Sequence, residues 1–156
     1  MIRASAWLSI FVAFGCSSNR LPHEGKSIAQ LDAMLRDADP QVQAQGAFGL
    51  SRFGAEARGS IPTLTMLLTS AQPLLRQNAA GALGAIGPEA ASATPALIVL
   101  LQDADWSVRR QAVVALGQIG PAAKAALPEL KKLNQDPNSL VRKALSTAVK
   151  RIEGNG

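Results

Sequence analysis

The sequence predicts an all-α protein, a right-handed α-solenoid of four helical hairpins with a period of 33 residues. The repeat can be read by subtraction. Gly54, Gly87 and Gly120 are 33 apart, and so are Pro62, Pro95 and Pro128. Apolar columns keep the same step, as in Leu31, Leu64, Leu97 and Leu130, or Val42, Leu75, Val108 and Val141, or Leu50, Leu83, Leu116 and Val149, or Phe53, Ile86, Ile119 and Ile152. Composition agrees. The 156 residues are 47% hydrophobic but only 4% aromatic, so the apolar content is mostly Ala, Leu, Ile and Val, which suits closely packed helices. A unit of this length cannot bury its apolar face alone and must stack on its neighbours.

The first 15 residues read as a segment outside that fold. A positive start at Arg3 precedes an uncharged run from Ala4 to Phe14, with small residues Ala13 and Gly15 ahead of Cys16. This is the pattern of a secretory signal peptide. As a helix the run would reach only about 16 Å, too short to cross a bilayer. It also resembles a bacterial lipoprotein signal, and the resemblance implies lipidation of Cys16, the only cysteine in the chain. Two acyl chains would anchor the protein stably on the periplasmic side of a membrane. A plain secretory peptide, or an unprocessed cytoplasmic chain, are the alternatives. Residues 16–26 are polar, contain Pro22 and Gly25, and read as a tether. The repeat domain then occupies 27–156.

Each repeat divides into two helices. First helices are expected near Ser27–Arg36, Ile61–Thr69, Thr94–Gln102 and Leu127–Asn134. Second helices are expected near Pro40–Phe53, Pro73–Ile86, Trp106–Ile119 and Ser139–Arg151. In the third repeat Val108, Ala112, Ala115, Leu116 and Ile119 form one apolar stripe at helical spacing. Asp105 stands where an N-cap belongs, and Pro40 and Pro73 take the first helical position, where a missing N–H costs nothing. Gly87-Pro88 and Gly120-Pro121 stop the helices before them, while the last repeat has Glu153 in that column. Small residues recur at Gly46, Ala79 and Ala112, and at Gly49, Ala82, Ala115 and Ala148, so the second helices can approach closely.

The runs from Leu75-Arg76 to Gly87-Pro88 and from Val108-Arg109 to Gly120-Pro121 resemble the HEAT-repeat pattern in its short bacterial, phycobilin-lyase HEAT-like form. The resemblance spans Ser27 to Ile152. It implies four HEAT-like hairpins whose second helices line a concave face. It also implies that Arg76, Arg109 and Arg142, with Asp103, Asp105 and Asp136 in the turns, bridge neighbouring repeats. The first repeat departs, with Gln43 in place of the arginine.

Charges that do not repeat point to a surface. From Trp106 onward nine basic residues stand against three acidic ones, whereas residues 16–105 carry six basic and eight acidic. Arg110 and Lys143 are one period apart and should stand side by side in a row with Gln77. With Arg151 these residues are candidates for binding a protein partner, acidic in character, or anionic headgroups. Nucleic acid is disfavoured: Tyr is absent and Trp106 is the only Trp after the leader, so stacking platforms are lacking.

Catalytic chemistry finds little footing. One cysteine excludes an internal disulfide framework and a cysteine-based zinc site. Deoxyhypusine hydroxylases, which are HEAT-repeat enzymes, hold two irons with several His-Glu pairs, whereas here the single pair His23-Glu24 falls in the tether. No serine has a second histidine to draw on, and Gly81, Gly84 and Gly87 do not form a phosphate loop. No cofactor is expected. The reading is a non-catalytic interaction scaffold, with a phycobilin-lyase-like or other enzyme-accessory role as the alternative. Replacing Ala115 by Phe should overpack the core and lower stability by about 1–3 kcal/mol in a urea melt; an unchanged midpoint would place that column outside the core.

Overall fold

A computed structural model describes residues 23–154. Its eight α-helices are α1 (Ile28–Met34), α2 (Pro40–Leu50), α3 (Ile61–Leu67), α4 (Pro73–Ile86), α5 (Thr94–Val99), α6 (Trp106–Ile119), α7 (Leu127–Lys132) and α8 (Ser139–Glu153). No strand occurs among the described residues. The odd-numbered helices are the first members of each hairpin and form an outer layer. The even-numbered ones form an inner layer, in which α2, α4, α6 and α8 pack side by side in order.

Local chemistry sets the ends. Ser27 and Gln30 make a reciprocal capping box at α1, the Ser27 amide donating to Gln30 Oε1 at 2.9 Å and the Gln30 amide to Ser27 Oγ at 3.3 Å. Asp39, Asp105 and Asn138 each accept from the amide two residues on, at 2.8, 2.7 and 2.9 Å, and so start α2, α6 and α8. Gly87 and Gly120 adopt φ of 82° and 73° where α4 and α6 stop, a conformation that side chains strain against. The fourth repeat, with Glu153 in that column, runs one residue further and ends on Gly154 in the left-handed region.

α4 and α6 have the expected limits, and the outer helices are shorter than expected. At α5 and α7 the difference is 3-10 structure; α1 and α3 end in turns, and α2 stops at Leu50, short of the expected Phe53. Gly54–Ser60, Gly87–Ala93 and Gly120–Ala126 are 3-10 segments joining one repeat to the next, and Leu100–Gln102 and Leu133–Gln135 tighten the ends of α5 and α7. The outer layer meets its neighbours largely through these connectors, burying Ala57, Ala90 and Ala123.

The inner layer is closer. A methyl group on Gly117 would lie 2.7 Å from Ala148 Cα, and one on Gly84 would lie 2.8 Å from Ala115 Cα. Gly46 and Gly49, expected in the same role, instead face Leu31 of α1, with Met34 and His23 beside them. With Gly or Ala at the α4–α6 and α6–α8 contacts and leucines beneath the outer helices, the stack is narrower on its inner side. The inner face is therefore concave.

The two ends of the described stack differ from its middle. One period beyond the buried Leu101, Val113 and Gly117 stand the exposed Asn134, Ser146 and Lys150, so α7 and α8 present a polar rim. Such a rim stops further stacking. At the other end the expected tether is not free over its last residues. His23 is buried against α2, its ring edge-on to Phe48 at 4.9 Å and its Cβ 3.0 Å from where a Gly49 Cβ would sit. Cys16 and the leader lie outside the described residues.

Gly117→Ala should lower the melting temperature although alanine favours a helix by about 1 kcal/mol over glycine. The added methyl forces α6 away from α8, and overpacking of this kind costs about 1–3 kcal/mol. A higher melting temperature would show that the inner helices have room to spare.

Candidate functional site

Two constellations emerge, one that stacks the repeats and one that lies open to solvent. The first is a ladder of arginine and aspartate along the turns between outer and inner helices. Arg76 donates from Nε and Nη2 to Asp103 at 2.7 and 2.8 Å, while its Nη1 donates to the carbonyls of Ser70 and Ala71 at 2.8 and 3.1 Å. Arg109 repeats this with Asp136 at 2.7 and 3.1 Å and with the carbonyls of Asp103 and Ala104 at 2.7 and 3.2 Å. Each arginine thus holds its own turn and grips the next one in a two-pronged pair.

Of the residues assigned to stacking, four meet across repeats and two do not. Asp105 caps α6 instead, accepting from the Ser107 amide and hydroxyl at 2.7 and 2.6 Å. Arg142 donates to the carbonyls of Asp136 and Pro137, with no aspartate opposite it among the described residues. The first interface shows a paired loss. Gln43 stands where an arginine would, and Ser70 where its aspartate would, 27 residues on. Gln43 still donates to the Asp37 carbonyl at 2.7 Å, and Ser70 still accepts from the Gln72 amide at 3.2 Å. The turn contacts survive, and the bonds between the two turns are gone with the charges.

The pairs are largely buried, at 15% and 7% side-chain exposure for Arg76 and Asp103 and 13% and 3% for Arg109 and Asp136. Hydrogen bonds from Arg109 hold the Asp136 carboxyl below its usual range against the opposing effect of burial. Burial pushes Asp103 upward, but Arg76 and the Asp105 amide outweigh it and the net direction is down. Asp105 is lowered by its bonds from Ser107. The guanidinium groups of Arg76 and Arg109 are raised by the same carboxylates.

The second constellation is a trough on the inner face. Arg110, Lys143 and Arg151 converge on one cavity of about 340 Å³ between α6 and α8, floored by Val114, Gly117 and Leu140. All three cations are exposed, and none has an acidic partner within ion-pair distance among the described residues. Gln77 is not with them. It lines the next cavity along, of about 320 Å³, with Asn78 and Gln111, and its side-chain amide meets Ser107 Oγ at 3.0 Å, the Ser107 proton going to Asp105. A third cavity of about 270 Å³, between α2 and α4, is lined by Ala44, Phe48 and Leu74 and ends at His23. Neighbouring cavities share walls: Phe48 and Asn78 belong to the last two, Val114 to the first two. The apolar end was missed in the sequence because Phe48 and Leu74 belong to different columns and become neighbours only across the α2–α4 contact.

A family profile described as HEAT repeats matches residues 28–94 and 89–150, over the repeats built above. The chain belongs to the HEAT-repeat family. No curated protein matches its sequence. Among solved structures, an engineered protein is similar at 28% identity and a TM-score of 0.70, covering 83% of this chain and 63% of its own. In the complex of CpcE and CpcF of phycocyanin lyase from Nostoc sp., a chain is similar at 25% identity and a TM-score of 0.70, covering 81% of this HEAT-repeat chain and 53% of its own. A designed armadillo repeat protein in complex with the peptide (KR)4 shares the fold at 22% identity and a TM-score of 0.70, over 80% of this chain and 64% of its own. This HEAT-repeat chain therefore spans less than two thirds of each of the three.

Among the described residues no group of three or more His, Cys, Asp or Glu could hold a metal ion. The His23 ring nitrogens are buried and meet no hydrogen-bond partner there.

The ladder has a measurable signature. Because the folded aspartates are held low, they bind protons less readily than in the unfolded chain, so their contribution is complete above about pH 4 and fades as the pH falls below it. Arg109→Gln leaves Asp136 buried without its counter-charge and should cost about 2–3 kcal/mol in a urea melt. The double variant Arg109→Gln/Asp136→Ser, which copies the Gln43 and Ser70 arrangement, should recover at least about half of that loss. Losses that simply add would mean the two side chains act independently.

Proposed function

We propose that this HEAT-repeat chain is a non-catalytic scaffold that binds a protein through its concave inner face, with an acidic partner at the α6–α8 end. The observation that carries the reading is the set of three uncompensated cations, Arg110, Lys143 and Arg151, around one cavity with an apolar floor. Opposite charge accelerates encounter and the floor supplies burial once the partner is seated. The complex of phycocyanin lyase subunits supports a protein partner, since one of its chains is similar to this one in fold. We further propose an exported protein held on the periplasmic side of a membrane through acylated Cys16, with residues 17–22 as the remaining spacer.

A second reading, as an accessory subunit of a lyase-type enzyme, is favoured only by the phycocyanin lyase likeness. Chromophore copurifying with the protein would support it.

Arg110→Glu/Lys143→Glu should weaken retention on an immobilised acidic polypeptide at least about tenfold and reduce its dependence on salt. Retention equal to wild type would remove the site. Labelled palmitate should enter the protein in a bacterial host and be lost in Cys16→Ser; incorporation unaffected by that change, or none in wild type, would contradict the anchor.

A further inference from the structure

The three cavities do more than offer a basic patch. They form one trough across α2, α4, α6 and α8, and its chemistry changes from end to end. The α2–α4 end is uncharged and exposes two large apolar side chains, Phe48 at 48% and Leu74 at 57%, beside Gln41 and Gln45. The middle is neutral and polar, lined by amides such as Gln77, Asn78, Gln111 and Gln118. The α6–α8 end adds three cations to its own exposed Leu140, and among the described residues no acidic side chain lines any of the three cavities. Helices that touch through glycine and alanine sit about 8 Å apart, so four of them span roughly 24 Å, the reach of about seven extended residues.

We propose that the trough takes a single extended segment of a partner protein, about seven residues long, apolar where it crosses α2 and α4 and carboxylate-bearing where it crosses α6 and α8. This rests on the scaffold reading above and specifies its ligand. The shape favours an extended segment, because cavities of about 270–340 Å³ take side chains in turn and not a whole helix of about 10–12 Å diameter. A nucleic acid fits poorly, since it carries charge along its whole length and only one end of the trough is basic. A bilayer is flat and cannot enter a concave face. His23 closes the apolar end, so the segment is fixed in position as well as in direction.

The test uses the full chain and fluorescein-labelled decapeptides. One carries leucines clustered at one end and glutamates at the other, synthesised in both chain directions. A second has the same composition with the two residue types alternating. By fluorescence anisotropy, one direction of the clustered peptide should bind at least about tenfold tighter than the alternating one, a difference of about 1.4 kcal/mol. Phe48→Ser and, separately, Leu74→Ser should each weaken it several-fold with the salt dependence unchanged. Lys143→Glu should weaken it and flatten the salt dependence. Equal binding of clustered and alternating peptides, or no effect of either serine variant, overturns the two-ended arrangement. If acidic peptides still bind through Lys143 in that case, the scaffold reading stands alone. If no acidic peptide binds at all, both fall. Vesicles of phosphatidylglycerol that compete with the peptide through Lys143 would overturn the choice of a protein ligand.

Discussion

The structure depends on how closely the inner helices approach. At Gly84 against Ala115, and Gly117 against Ala148, there is no space for a methyl group. Helices at such contacts can bury Leu83, Leu116 and Ile119 between layers while keeping the inner side of the stack narrow. Concavity follows from this asymmetry of side-chain volume, and the trough follows from concavity.

The arginine–aspartate ladder serves a different purpose. Burial of apolar surface is non-directional and tolerates sliding of one hairpin over the next. A two-pronged guanidinium–carboxylate pair does not, because both its distances must be met together. Arg76 and Arg109 therefore set where one repeat sits on its neighbour. The first interface does without the charges, and there Gln43 and Ser70 keep only the turn contacts. Loss of both partners leaves no buried charge unpaired, which is why such a replacement is tolerable where a single one is not.

Much of the architecture was legible because a repeat writes its contacts many times. The columns through Leu31, Val42, Leu50 and Phe53 located every hairpin, and Pro73, Trp106, Gly87 and Gly120 fixed the limits of α4 and α6. The 3-10 connectors were not legible, since Ala-rich runs such as Gly120–Ala126 carry neither helical nor strand periodicity. Asp105 was read both as the cap of α6 and as a member of the ladder, because aspartates two apart in a turn look alike in sequence; the structure keeps the cap and not the bridge. In the trough the cations Arg110 and Lys143 could be aligned by period. Gln77 shares their column yet lies over the next cavity, where Ser107 holds it. His23 read as tether because a lone polar residue gives no sign of the aromatic face, here Phe48, on which it rests.

The central claim is that adjacent inner helices touch through glycine and alanine. The most direct measurement is a nuclear Overhauser experiment on protein with labelled alanine methyls and glycine α-protons. Strong cross-peaks from Gly117 to Ala148 and from Gly84 to Ala115 are expected. Their absence, with those methyls instead showing cross-peaks to bulky side chains, would contradict the close inner layer and with it the origin of the trough.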